Sequence, residues 1–391
     1  MASKRWNFRI TKTRIVMLAI FLLTLLFMVW RYCVGLGAST NLNDRYTWGL
    51  WIGADMNVIA LAGAGFSMAI ITHVFHAHKY EPLARRCLLM SFIAYVLVLL
   101  ILIVEIGRWD NFWRPFVSPG VHSPMFEVYM CIVAYMILQA IELVDVGTEK
   151  IAPKFNKKMQ KIMPVVFVIA CVVPLGHQAS LGSLYLAMPA KLDSIWATTA
   201  MPWLFLLSAF FVGPAVAILE YIWSSKRYNM KIDVPMLVGL TRISAVLMAV
   251  YLVIKVADLV VRGQIGCIFE FSVVSNMFLL EITLLTIVPI IITLLPFGKT
   301  KGGVMTFGFS AVFGLILTRL NVVFTGMYAH LGGGYFPSWF EIFSTVGLIC
   351  ICVLAYLYIT ENFPVFYGLP GDADGETDLE SSPSGFNQAI M

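Results

Sequence analysis

Two carboxylates, an arginine and a histidine bracket one loop of this chain. Glu105 and Arg108 lie in Val104-Glu105-Ile106-Gly107-Arg108-Trp109, and His122 and Glu127 in His122-Ser123-Pro124-Met125-Phe126-Glu127. A long apolar run ends at Glu105 and another starts after Glu127, so these groups sit where two membrane helices reach one surface. Ionisable side chains at that depth are expensive and mark functional sites by default. Asp55, early in the second apolar run, and His177, in His177-Gln178-Ala179-Ser180-Leu181-Gly182-Ser183, belong to the same leaflet, as do Lys255, Asp258 and Arg262, and His330 follows on that side. Histidines titrate near neutrality and burial tunes carboxylates toward it, so the set suits a ligand that exchanges protons. A structural reading stands beside this one. Glu105 with Arg108, and Lys255 with Asp258, have the i,i+3 spacing at which helical charges satisfy one another.

The elements that must hold these residues follow from composition. Of 391 residues, 60% are hydrophobic and 13% charged, with mean hydropathy +0.85. A soluble domain is about a quarter charged. Ten runs are long enough to span a bilayer, at about 14–34, 49–76, 84–106, 124–146, 161–187, 196–224, 236–261, 271–296, 303–327 and 339–362. The pattern predicts an all-α, polytopic helix bundle, organised as two four-helix bundles plus flanking helices. Residues 1–13 read as a basic cytoplasmic N-terminus, 14–363 as the membrane domain, and 364–391 as an acidic, disordered cytoplasmic tail. The first run has no small-residue cleavage motif after it and reads as a retained helix.

Orientation comes from the Lys and Arg at the span ends. Eighteen fall on the side of the N-terminus and six on the other, with Arg242, Lys255 and Arg319 inside spans. Positive charge stays inside, so both termini are expected in the cytoplasm of a multi-pass inner-membrane protein. The loop holding Arg108 and His122 then faces outward. The net charge of +5 sits in short loops and is no nucleic-acid signal.

Other features carry less. The seven cysteines show no C-x-x-C spacing of a zinc or iron–sulfur site. His73, His76 and His78 read as interfacial. Gly63 and Gly65 read as small residues for close helix packing. A b-type haem needs two histidines facing across a bundle; His122, His177 and His330 are candidates, but no spacing demands it. Glu220, Glu281 and Arg319, with Asp258, read either as a broken proton track from the cytoplasm or as polar glue between helices.

Several segments together resemble the NrfD/PsrC family, the membrane subunits of polysulfide reductase and related respiratory complexes. They are Gly35-Leu36-Gly37 followed by Trp48-Gly49-Leu50-Trp51-Ile52; Glu105-Ile106-Gly107-Arg108-Trp109; Ser123-Pro124-Met125-Phe126-Glu127; His177 to Ser183; and Gly332-Gly333-Gly334-Tyr335-Phe336-Pro337-Ser338-Trp339. The ten spans are similar to the family's HybB-like and Hmc-complex-like branch. The resemblance implies a quinone, menaquinone or ubiquinone, bound as substrate near the periplasmic surface by helices of the first half. It implies no haem or iron–sulfur cluster on this chain, and electron exchange with a ferredoxin-like, multi-cluster iron–sulfur subunit docked on that face. Further redox subunits of hydrogenase, multihaem cytochrome or molybdopterin type, and membrane lipid, are the other implied partners. By position, Asp55, Glu105, Arg108, His122, Glu127, His177 and Trp48 become the candidate quinone site, with the histidines on the quinone oxygens and Asp55 and Glu105 orienting them or relaying protons. Where this chain has Glu105 the family commonly has Asp; both are carboxylates. Two other readings remain open: a proton-conducting or secondary transporter subunit, which predicts broken helices and a midplane site, and a purely structural membrane anchor.

Overall fold

The computed structural model describes residues 10–332 and 335–362. The acidic tail expected from 364 onward and most of the basic N-terminus lie outside these residues. No strand occurs among the described residues, and ten helices are long and apolar enough to cross a membrane. They are α1 (Lys12–Val34), α2 (Leu50–Val74), α3 (His78–Glu105), α4 (Pro124–Asp145), α5 (Met163–Leu186), α6 (Met201–Arg227), α7 (Val234–Val261), α8 (Val273–Leu294), α9 (Lys301–Tyr328) and α10 (Trp339–Asn362). The chain is an integral, multi-pass membrane protein.

Each helix is an apolar run closed by ordinary end chemistry. Thr11, Asp233, Ser272 and Thr300 accept a hydrogen bond from the backbone N–H three residues on, capping α1, α7, α8 and α9. Proline stands in the first turn of α4, α5, α6 and α7, where its missing N–H leaves nothing unpaired. α6 begins at Met201, not at 196 as the apolar run suggests. Thr198 Oγ1 accepts from Ala200 N, and Trp196 and Ala197 turn back onto the Asp193 carbonyl, so 196–200 form a loop. Three helices carry a π turn: Ile70–Val74 in α2, Thr283–Ile287 in α8 and Asn321–Thr325 in α9. Such widened turns recur at functional sites.

Helices α2 to α5 pack as one four-helix bundle and α6 to α9 as a second; α1 lies along α10, and that pair leans on α3. The bundles meet where α6 crosses α2 and α5. Small residues set that contact. A Cβ on Gly213 would stand 1.8 Å from Ser67 Oγ, and one on Gly63 would stand 3.1 Å from the Ala209 carbonyl oxygen. Backbones approach this closely only without side chains between them.

The loops sort onto two faces. On one, Arg31 of α1 reaches the Ile106 carbonyl, Asn41 meets Glu341, and Arg262 reaches the carbonyls of Ser194, Ile195 and Ala197. This is the face that the charge count turns outward, and it is termed the outer face. On the inner face Glu361 of α10 bridges Arg14 of α1 and Arg227 of α6.

Candidate functional site

The outer end of the first bundle is built around buried acids. Helix α3 ends at Glu105, and its last carbonyls, Glu105 and Ile106, receive Arg31 Nη2 at 3.4 and 2.9 Å. A cation at a helix C-terminus satisfies the carbonyls that the helix leaves open. Arg31 is 1% exposed and lies within electrostatic reach of the Glu105 side chain. Glu105 lies in turn within reach of Asp55 on α2 and Glu341 on α10. Three carboxylates and one arginine from α1, α2, α3 and α10 therefore share this corner.

Their hydrogen bonding differs sharply. Glu341 is fully satisfied: it accepts from Tyr335 Oη, from Ser338 N at 2.7 Å and from Asn41 N at 3.4 Å. Tyr335 Oη also accepts from Leu50 N at 2.8 Å, which ties the first residue of α2 to α10. Burial, then the bond to Glu341, pushes the Tyr335 phenol up, so it stays protonated and donating. Trp51 is fixed too, its Nε1 donating to Ser344 Oγ at 3.2 Å. Asp55, by contrast, is 4% exposed and neither carboxylate oxygen has a hydrogen-bond partner; Glu105 Oε2 is buried without one as well. An unpaired buried polar atom costs about 1–3 kcal/mol. Two helices carry that cost at one corner.

His177 lies deeper on α5, fully buried, beside the Val128 backbone of α4 and the Tyr95 ring of α3, whose centroid is 5.9 Å away. Neither of its ring nitrogens makes a well-formed hydrogen bond. Its neighbour Gln178 donates to the Ile59 carbonyl at 2.9 Å, pinning α5 to α2. Trp48 packs edge-on against Tyr185 of α5, centroids 5.6 Å apart.

The remaining sequence candidates fall elsewhere. Arg108, His122 and Glu127 are exposed on the outer rim. Arg108 does not pair with Glu105: α3 stops at Glu105, which breaks the helical register, and Arg108 instead reaches Asp110 at 3.3 Å. Asp258 likewise pairs with Arg262 at 2.7 Å, one turn on, and accepts from Thr198 Oγ1, while Lys255 turns inward over the Phe278 ring. In the second bundle Glu281 accepts from Trp196 Nε1 and Asn321 Nδ2, and Arg319 donates to the Phe205 carbonyl and Ser208 Oγ with its guanidinium 3.5 Å from the Phe205 ring centre. Glu220 accepts from Tyr356 of α10 and so faces away from that cluster. The buried stretch of α6 between Ser208 and Glu220 is apolar apart from backbone, with Phe211, Val212, Ala215 and Ile218. Asp258, Glu281, Arg319 and Glu220 thus form two separate polar knots among the described residues.

A family model described as polysulphide reductase, NrfD, matches residues 38–330. The chain belongs to the NrfD family. The matched stretch includes Asp55, Glu105 and His177, whose surroundings are described above. This NrfD protein is 28% identical to the probable Ni/Fe-hydrogenase 2 b-type cytochrome subunit of Escherichia coli (strain K12), over 88% of its own length and 90% of that protein's. It is 28% identical to the integral membrane subunit of menaquinone reductase of Nitratidesulfovibrio vulgaris, over 57% of its length and 56% of that protein's. It is 22% identical to a selenate reductase subunit of Mesobacillus selenatarsenatis, over 83% and 87%.

The first of those names raises haem. Two histidines must face each other across the iron for a b-type site. Among the described side chains His177 is the one fully buried histidine; His122, His76 and His78 are exposed, and His73 packs on Phe167 at the inner end of α5, ten residues from His177. Among the described side chains no second histidine stands opposite His177.

Proposed function

We propose that this NrfD-family chain is the quinone-reactive integral membrane subunit of a respiratory redox complex. It exchanges electrons between menaquinone or ubiquinone and a ferredoxin-like iron–sulfur subunit docked on the outer, periplasmic face. The observation that carries the reading is the burial of Asp55 with neither carboxylate oxygen hydrogen-bonded, in the same bundle as the fully buried His177. A quinone needs a proton partner for each oxygen, and an unpartnered carboxylate and a buried imidazole are suited to that exchange. Glu105 and Arg31 set the charge at that corner, and Trp48 flanks the quinone ring. Arg108, His122 and Glu127 belong to the exposed rim and suit contact with the partner subunit. The names of the relatives, a menaquinone reductase subunit, a hydrogenase subunit and a selenate reductase subunit, support a redox assembly of this kind.

The test is a complex purified through a tag on this chain. The reading expects an iron–sulfur subunit among the co-purifying proteins and saturable binding of a quinone analogue such as a hydroxyquinoline N-oxide. His177→Ala abolishes quinone-linked turnover while the same subunits still co-purify. An assembly without any redox subunit, or wild-type turnover in His177→Ala, removes it.

A further inference from the structure

We propose that the first bundle carries a site for one anionic phospholipid of the inner leaflet. Its phosphate is held by the lysines around the short helix Pro153–Met159, and one acyl chain lies in the cleft beside that helix. The inference does not depend on the quinone reading. The cleft opens between the inner halves of α2, α3, α4 and α5 and encloses about 830 Å³, part of it open to the outside. Most of its wall is apolar, with Phe66, Ala69, Leu88, Met163 and Phe167. Phe66 is eight residues from the inner end of α2, and Leu88 and Tyr135 are each ten residues from the inner ends of α3 and α4. At 1.5 Å of rise per residue the cleft runs about 12–15 Å into the membrane. That is half of a hydrocarbon core about 30 Å thick, the depth of one leaflet.

The loop between α4 and α5 builds the mouth. Two amides hold the short helix against α4: Asn156 Nδ2 donates to Asp145 Oδ1 at 2.8 Å, and Gln160 Nε2 donates to Asp145 Oδ2 at 3.0 Å. Asp145 and Gln160 both line the cleft. With those amides turned inward, helical geometry sets the rest. Lys154 and Lys158 each stand two residues from Asn156, about 160° round the helix, and so face away from α4. Lys157 and Lys161 are exposed as well, and none of the four ammonium groups makes an ion pair among the described residues. Phe155 and Ile162 stand among these lysines with about half of their surface exposed. Phe75 is exposed at the end of α2, two residues past His73, which lines the cleft and packs on Phe167.

Apolar side chains interleaved with lysines are the pattern of a segment lying at the membrane surface. The apolar groups enter the acyl boundary while the ammonium groups stay at headgroup level. Basic surfaces beside transmembrane helices on the cytoplasmic side take anionic headgroups. The cleft wall also carries acids, and they decide how far the headgroup goes. Asp145 is engaged by Asn156 and Gln160. Glu81 precedes Arg85 by one turn of α3, the spacing of a helical ion pair. Glu142 lies three residues, about 4.5 Å, deeper in α4 than Asp145. A phosphate inside the cleft would face these acids. Held at the rim by the lysines it does not, and only the neutral chain passes inside.

The lipid completes the packing of the bundle. The outer half closes on protein, with Gln178 bonded to the Ile59 carbonyl and Tyr185 packed against Trp48 and Phe205. The inner half leaves a groove with apolar walls, and such walls lose their contacts unless something apolar fills them. A bound chain restores those contacts, and binding to the folded state alone stabilises it by mass action.

The test uses the full chain, with any subunits that co-purify, in a mild detergent and stripped of native lipid. Phosphatidylglycerol, phosphatidylcholine with the same acyl chains, or inorganic phosphate alone is added. Retained lipid is counted by native mass spectrometry and the melting temperature is read alongside. Each lysine near an anionic surface is worth about fivefold in binding. Wild type is therefore expected to bind one phosphatidylglycerol at least tenfold more tightly than phosphatidylcholine, and to melt higher with phosphatidylglycerol but not with phosphate. Changing Lys154, Lys157, Lys158 and Lys161 together to Gln abolishes that preference; all four side chains are exposed, so the fold is kept. Ala84→Phe, in the cleft wall, lowers retention at least tenfold with the lysines in place. Equal binding of the two lipids by wild type, the same melting shift with phosphate alone, or an undiminished preference in the fourfold variant overturns the site. Wild-type retention in Ala84→Phe overturns the placing of the chain in the cleft.

Discussion

Asp55→Asn separates a chemical role from a structural one. The change keeps the volume of the side chain and removes its charge. Asp55 has no hydrogen-bond partner to lose, and Glu105 beside it is a like charge. The folded state therefore loses nothing that the carboxylate supplied, and it no longer buries an unpaired carboxyl group; the net stability change should stay within about 1 kcal/mol. Activity should respond very differently. A positioned proton donor or acceptor contributes about 10²–10⁴ in rate, or about 3–5 kcal/mol of barrier. The expected result is a complex of wild-type composition, with a melting temperature in detergent within about 3 °C of wild type and quinone-linked turnover reduced at least a hundredfold. Turnover above a third of wild type refutes the chemical role. A drop in melting temperature of about 8 °C or more refutes the premise that Asp55 is unpartnered.

The other predictions address packing, charge and topology. Gly314→Ala places a Cβ 2.2 Å from Leu285 N and 2.4 Å from its Cα, inside the π turn of α8, so α8 and α9 must part; the expected loss is about 1–3 kcal/mol or more, read as lower folded yield and melting temperature, and unchanged values would show that the contact yields. Lys255→Met removes the cation that most favours charge on Glu281 and should destabilise by about 3–5 kcal/mol, whereas adding Glu281→Gln recovers most of that; a double variant no more stable than the single one denies the coupling. A membrane-impermeant maleimide should label His122→Cys in intact cells and Lys158→Cys only after lysis. The reverse pattern would turn the Asp55 corner toward the cytoplasm.

Much of the fold is legible in the sequence because a bilayer leaves few options. Every backbone polar group in hydrocarbon must be satisfied within its own helix, so an apolar run of the right length names its structure; the grouping into two bundles is set by the helix contacts. The π turns are not legible: Thr283-Leu284-Leu285-Thr286-Ile287 differs in no way from its surroundings, and the widening is set by how α8 fits α9. At the site, charges stand out against apolar sequence, which is why Asp55, Glu105 and Glu281 can be picked out. Arg31 reads as a loop cation because it ends its run, yet it is buried on the end of α3. Glu341 reads as an ordinary acid in a first helical turn. Tyr95, Ser91, Tyr135 and Gln139 carry no charge and do not stand out, although Gln139 Nε2 donates to Ser91 Oγ and the Tyr95 and Tyr135 rings meet; the i, i+4 spacing of Ser91 with Tyr95 and of Tyr135 with Gln139 is the signal that could have found them.

The buried acids of the two bundles are held differently, and that difference bears on where chemistry belongs. In the second bundle Glu220 has one oxygen on Tyr356 and the other buried without a partner, but Glu281 is held by Trp196 and Asn321, and Asp258 by Arg262 and Thr198. Groups so engaged hold a proton state firmly, because changing it breaks several bonds at once. That is the behaviour of a lock between α7, α8 and α9, and the π turns beside Glu281 and Arg319 are where such a lock would slip if the helices moved. In the first bundle both Asp55 oxygens, Tyr95 Oη and Gln139 Oε1 are buried without a hydrogen-bond partner. A group whose partners are mobile can change protonation without dismantling the fold. Proton-linked redox chemistry requires that freedom, and Asp55 of the first bundle, with both oxygens unpartnered, has it.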